Sequence, residues 1–182
     1  MKQRLLFLGP PGAGKGTQAQ RLAAAHDLLH LSTGDLLRAE VQARTPLGQE
    51  AEAVMARGEL VSDQLVLAIV RSRLEAHNGG WLLDGFPRNL PQAEALDALL
   101  TELQQEIELV VLMELDDAVL IARLLGRGRA DDNEEVIRNR LEVYREQTAP
   151  LIQHYRERDQ LVAVEASGTV EEIGARIEAL LR

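Results

Sequence analysis

Cysteine is absent from the 182 residues, which removes disulfides and thiolate zinc sites and fits a cytoplasmic address. No apolar run reaches the roughly 18 residues of a membrane span. Met1-Lys2-Gln3-Arg4 leads directly into a strand pattern rather than a signal peptide. Repeats and low-complexity segments are also missing. His26, His30, His77 and His154 show no metal-ligand spacing, so surface or packing roles suit them better. A net charge of −9 argues against a general nucleic-acid surface. Lysine is scarce: Lys2 and Lys15 stand against 18 arginines, whose planar forks suit phosphates and carboxylates. What remains, 46% apolar and 27% charged residues, is ordinary for a globular chain of one domain with room for a small insertion.

The most informative stretch is Gly9-Pro10-Pro11-Gly12-Ala13-Gly14-Lys15-Gly16-Thr17, between the apolar run Leu5–Leu8 and a helical pattern over Gln18–Ala25. Strand, glycine loop and helix form the context of a phosphate-binding loop. Glycines let successive N–H groups turn inward toward phosphate oxygens at the positive end of a helix dipole. Lys15 adds a mobile charge for the outer phosphates, and Thr17 a hydroxyl near a magnesium ion. Gly16 displaces that hydroxyl by one place from the commonest pattern. The plainer alternative is a glycine-rich turn, but the full spacing and both flanks favour a nucleoside triphosphate site.

Alternating apolar runs and helical patterns predict a parallel sheet covered by helices, with strands at Leu5–Leu8, Leu29–Leu31, Trp81–Leu83, Leu109–Leu115 and Leu161–Val164. Right-handed crossovers align the carboxyl ends of these strands along one edge, where ligands bind. Ser32 or Thr33 can cap the helix after the second strand. Glu40–Arg57 and Asp63–His77 read as helices, an excess over one crossover that suggests an insertion covering a second ligand. Asp84 ends the third strand, placed either to hold magnesium through water or as an ordinary turn acid. Pro91 fits the first turn of a helix over Gln92–Gln105. Arg123 and Arg127 share a helical face, but the acids between Arg123 and Arg140 leave a solvated, salt-bridged face open as an alternative. A helix from Glu134 should kink or end at Pro150. Ser167-Gly168-Thr169 caps a last helix, Val170–Leu181.

Together these motifs resemble the adenylate kinase family over essentially the whole chain. Gly9 to Gln18 matches its phosphate loop, including the displaced hydroxyl. Ser32-Thr33-Gly34-Asp35 with Arg38 is similar to its AMP-binding helix start, and Gly58-Glu59-Leu60-Val61 to the segment whose backbone holds the AMP adenine. Asp84-Gly85-Phe86-Pro87-Arg88 with Gln92 is similar to its signature. The resemblance implies a three-layer α/β P-loop fold over 1–182, with an NMP-binding insertion at 32–61 and a short lid at 127–133. It implies catalytic roles for Lys15, Asp84, Arg88, Arg123, Arg129 and Arg140. ATP would meet Gly12, Ala13, Gly14, Lys15, Gly16, Thr17, Arg123, Arg127 and the backbone of Gly168. AMP would meet Thr33, Arg38, Glu59, Leu60, Val61, Gly85, Phe86, Pro87, Arg88, Gln92, Arg129 and Arg140. Mg2+ would accompany ATP at Asp84, and at Thr17. Only Gly128 separates Arg127 from Arg129 where many relatives insert a lid domain, so neither a large lid nor a structural zinc is expected. The implied protein is a cytoplasmic monomer interconverting ATP, AMP and ADP, with no nucleic-acid or membrane partner. A UMP/CMP kinase, which shares the loop and the Asp84–Arg88 pattern, stays open. A P-loop switch that binds a nucleotide to control a partner stays open as well, with the lack of a guanine-reading Asn-Lys-x-Asp and the second set of phosphate-seeking arginines standing against it.

Overall fold

The computed structural model describes residues 1–57, 61–128 and 133–182. Among them are five strands, β1 (Arg4–Leu8), β2 (Leu29–Ser32), β3 (Trp81–Asp84), β4 (Leu109–Glu114) and β5 (Leu161–Glu165). The described helices are α1 (Lys15–His26), α2 (Thr33–Ala43), α3 (Pro46–Ala56), α4 (Asp63–Glu75), α5 (Leu90–Glu102), α6 (Asp117–Gly126), α7 (Glu134–Glu157) and α8 (Val170–Leu180). All neighbouring strands pair in parallel, in the order β2-β3-β1-β4-β5. Each expected strand is present, with ends moved by about a residue, as pairing rather than propensity sets them.

Every second residue of a strand faces the same layer. Leu5 and Phe7 of β1 join Val111 and Met113 of β4 in one core under α1, α6 and α8. Leu6 and Leu8 join Leu83 and Leu112 in a second core under α4 and α5. This two-sided burial explains the nearly unbroken apolar runs of β1 and β4. The chain passes from β1 to the edge strand β2, returns to β3 between them, then crosses to β4 on β1's other side. That reversal opens a crevice at the carboxyl end of β1.

Three local expectations are corrected. Ser32 is the N-cap of α2 by position, but its hydroxyl makes no capping bond. The helix expected over Glu40–Arg57 is two helices, because Arg44 adopts a left-handed φ of 53° and Pro46 restarts the chain at the first position of α3. Pro150 lies inside α7 and does not end it. Ile137 and Leu141 anchor the start of α7 in the first core, while Leu151 and Tyr155 anchor its end in the second. Burying four such side chains contributes roughly 1.5–3 kcal/mol each, against about 3 kcal/mol for an internal proline. Burial wins, and α7 runs from one layer to the other.

The α2–α3 corner is held by Glu40, 5% exposed, which pairs with Arg73 of α4 at 3.1 Å and accepts the Thr45 hydroxyl. A Cβ on Gly48 would stand 1.9 Å from the Glu40 carbonyl oxygen, so the two helices touch through backbone. Gly48→Ala is therefore expected to destabilise the fold by about 1–3 kcal/mol, as overpacking does. Denaturant unfolding measures this, and an unchanged midpoint would mean that the corner yields freely.

Candidate active site

The loop after β1 ends at Gly14, the N-cap of α1, with φ 92° and no side-chain cap. A left-handed N-cap is cheap only for glycine, and the absence of a capping side chain leaves the first N–H groups of α1 for a ligand. Lys15 folds back, its Nζ donating to the Gly9 carbonyl at 2.7 Å. Burial holds the Lys15 pKa below its ordinary value; Asp84 opposes this and Arg88 adds to it. An arriving polyphosphate would supply the missing counter-charge.

Across the crevice, Asp84 ends β3 opposite Phe7 of β1 and Ser32 of β2, and is 8% exposed. His30 approaches it only to 3.7 Å, too far for a hydrogen bond. Gly85 adopts φ 90°, and the Phe86-Pro87 peptide is cis. A Cβ on Gly85 would stand 3.2 Å from the Thr33 hydroxyl, so the turn after β3 touches the start of α2. Arg88 donates its Nε to the Gly85 carbonyl at 3.1 Å. Its backbone N–H donates to Gln92 Oε1 at 2.7 Å.

A cleft of about 740 Å³ is lined by Gly12, Gly14, Lys15, Gly16 and Thr17, together with Asp84, Gly85, Arg88, Arg123 and Arg127. Arg123 reaches the Gly12 carbonyl at 3.3 Å and the Ala166 carbonyl at 3.4 Å, tying α6 to the loop and to the turn after β5. Gly168 in that turn has φ 105°. Arg140 shares an adjoining groove with Arg88 and Pro11. The arginines between 123 and 140 divide, because Arg138 pairs with Glu134 on an exposed face of α7. Arg138 is thus placed as the solvated-face alternative expects, whereas Arg123 and Arg127 line the cleft and Arg140 the groove beside it.

Other expected site residues lie elsewhere. Arg38 is exposed and paired with Asp35, away from the cleft lining. Phe86 packs in the second core, with Val61 partly buried against it. Gln92 meets Arg88, but its amide is engaged on both ends, accepting from Arg88 and donating to Asp63 at 2.7 Å. Glu59, Leu60 and Arg129 lie outside the described residues.

Behind the cleft, an inner chamber of about 190 Å³ is bounded by Lys15, Pro87 and Arg88 on one side and by Tyr144, Gln147 and Thr148 of α7 on the other. Sequence reasoning missed this wall. The signal was the 4-3 spacing of Ile137, Leu141, Tyr144, Thr148, Leu151 and Tyr155, in which Thr148 is a polar member of an apolar stripe. Burial, aided by the charge of Glu114, holds the Tyr144 hydroxyl protonated far above its ordinary range.

Fixed N–H groups, a lysine and several arginines facing one buried carboxylate can neutralise transferring phosphoryl groups without any covalent partner. This is the cleft of a P-loop phosphotransferase. The adenylate kinase family model matches residues 7–160. Adenylate kinases of Synechococcus sp. (strain RCC307) and Prochlorococcus marinus (strain MIT 9313) are 74% and 73% identical to this chain over 181 residues, covering 100% of each protein. A more distant one, from Prochlorococcus marinus (strain MIT 9211), is 59% identical over 182 residues, covering 100% of this chain and 98% of its own. The chain belongs to the adenylate kinase family of nucleoside monophosphate kinases.

Proposed function

We propose that the chain catalyses ATP + AMP ⇌ 2 ADP by direct attack of an AMP phosphate oxygen on the γ-phosphorus of ATP. The observation that carries this reading is the meeting of Lys15, Asp84, Arg88, Arg123 and Arg127 in one cleft. Lys15, Arg123 and Arg127 hold the ATP phosphates with the N–H groups from Gly12 to Thr17, and Gly168 backs the ATP base. Arg88, Arg140 and Arg129 bridge donor and acceptor. The attacking oxygen is already anionic, so positioning and charge neutralisation suffice and no general base is needed.

Asp84 suits a hydrated Mg2+, which needs only one or two carboxylates beside substrate phosphates. Among the described residues no group of three His, Cys, Asp or Glu is placed to hold a metal, so phosphates and water would supply the other ligands, with Thr17 nearby. When bound, the ion would draw charge from the transferring phosphoryl oxygens.

Thr33, Arg38, the 59–61 segment, Gly85 to Pro87 and Gln92 form the AMP side. Arg38 must leave Asp35 to reach a phosphate. An exposed pair of this kind is worth only about 0–1 kcal/mol, so a phosphate dianion readily outcompetes it. The 32–61 insertion and the 127–133 lid close over the substrates and exclude water. The protein works as a cytoplasmic monomer; among the described residues no helix is long and apolar enough to cross a membrane.

AMP is preferred to CMP or UMP as acceptor because a glutamine amide matches adenine's amino donor and ring acceptor together. The reported relatives are all named adenylate kinase, and none supports the UMP/CMP reading. Gln92→Ala is expected to weaken AMP use by roughly tenfold or more with the ATP KM nearly unchanged. Steady-state kinetics with each substrate varied in turn checks it. An unaltered AMP KM would remove Gln92 from base recognition.

A further inference from the structure

Gln92 has a partner that no part of this mechanism uses. Asp63, the first residue of α4, accepts a hydrogen bond from Gln92 Nε2 at 2.7 Å, while Gln92 Oε1 accepts from the Arg88 N–H at 2.7 Å. The contact is not a helix cap: the Ser62 hydroxyl takes the Leu65 N–H, and the Asn89 side chain takes the Gln92 N–H. Nor is it needed to join α4 to α5, which are bridged further along by Arg71 and Glu102 at 2.6 Å and packed through Leu65, Ile69 and Leu96.

We propose that Asp63 is a positioning residue that fixes the orientation of the Gln92 amide and thereby selects a 6-amino purine at the acceptor site. This rests on the reading of Gln92 as the residue that meets adenine. An ionised carboxylate only accepts hydrogen bonds, and a backbone N–H only donates. Between the two, the amide has one satisfied orientation, with NH2 toward Asp63 and oxygen toward Arg88. The oxygen retains a second lone pair and the nitrogen a second N–H. Those two groups pair with adenine, which offers an amino donor beside a ring acceptor. Turned over, the same amide would suit a 6-oxo purine, with its carbonyl acceptor beside a ring N–H. Without the carboxylate, both orientations become accessible.

The test compares AMP with inosine monophosphate as acceptor, using the full chain with MgATP. Asp63→Asn keeps the size but offers the amide both a donor and an acceptor. Its AMP KM should rise about fivefold and its preference for AMP over inosine monophosphate, as a ratio of kcat/KM, should fall about tenfold. Turnover at saturating AMP and the ATP KM should stay within about twofold. Asp63→Ser, a second variant lacking the carboxylate, should move the ratio in the same direction, with a thermal melt confirming that each variant folds. In a Gln92→Ala background, Asp63→Asn should change the ratio no further, whereas a merely structural role would act there too. An unmoved ratio in Asp63→Asn and Asp63→Ser, or an equal effect in both backgrounds, overturns the proposal while leaving Gln92 in place. If Gln92→Ala alone leaves AMP use unchanged, the reading of Gln92 falls and takes the proposal with it.

Discussion

Lys15→Met should leave the fold intact and lower turnover by about a hundredfold or more, the scale of losing one preorganised charge at a developing anion. Methionine keeps the length and apolar stem of lysine, and the bond it gives up, to the Gly9 carbonyl, lies in a loop already shaped by its glycines. Stability should move the other way from activity. Burial holds the Lys15 pKa below its ordinary value of 10.5, so the folded state binds this proton less tightly than the unfolded chain. Stability linked to Lys15 is therefore lowest below its folded pKa and recovers as pH rises toward that ordinary value. Lys15→Met should be at least as stable as the unmodified protein near neutral pH, and its advantage should shrink in alkali. Denaturant midpoints across that range check the sign, and full activity in a folded Lys15→Met protein would sink the phosphate-loop assignment.

The second large effect concerns the arginines. Arg88→Ala and Arg140→Ala should each cost roughly a thousandfold or more in turnover, as removal of a charge that stabilises transferring phosphoryl does. Arg129, outside the described residues, is expected to behave as they do. Arg145→Ala and Arg156→Ala are the controls. Arg145 pairs with Asp117 on the surface and Arg156 is exposed, and such changes usually alter little. Initial rates at saturating substrates separate the groups; equal losses in both would favour a general charged face over a dedicated cleft.

What the sequence made legible was local chemistry. The glycine spacing announced the phosphate loop, and the parallel sheet followed from apolar runs alternating with helical patterns. Asp84 could be placed because it ends one of those runs. What stayed hidden depends on contacts between distant residues. The break at Arg44 is marked in the sequence by Pro46, which disfavours helix just before it, while the periodicity runs on across it. Pro150 could be read as an end as well as a kink because its local cost is real; burial at both ends of α7 carries the helix past it. Gly48 carries no turn signature; its need appears only where α2 and α3 meet. Tyr144 and Thr148 sit in a stripe that reads as core until α7 is seen to pass behind the loop. The motif match gave Gln92 a role but could not supply Asp63, 29 positions away, as its partner.

The measurement closest to the central claim is a coupled assay of ADP formation from MgATP with AMP, CMP and UMP offered in turn to the unmodified protein. AMP should be the best acceptor by at least about tenfold in kcat/KM, the discrimination expected of one well-made bidentate contact to a base. CMP or UMP outperforming AMP would contradict the account.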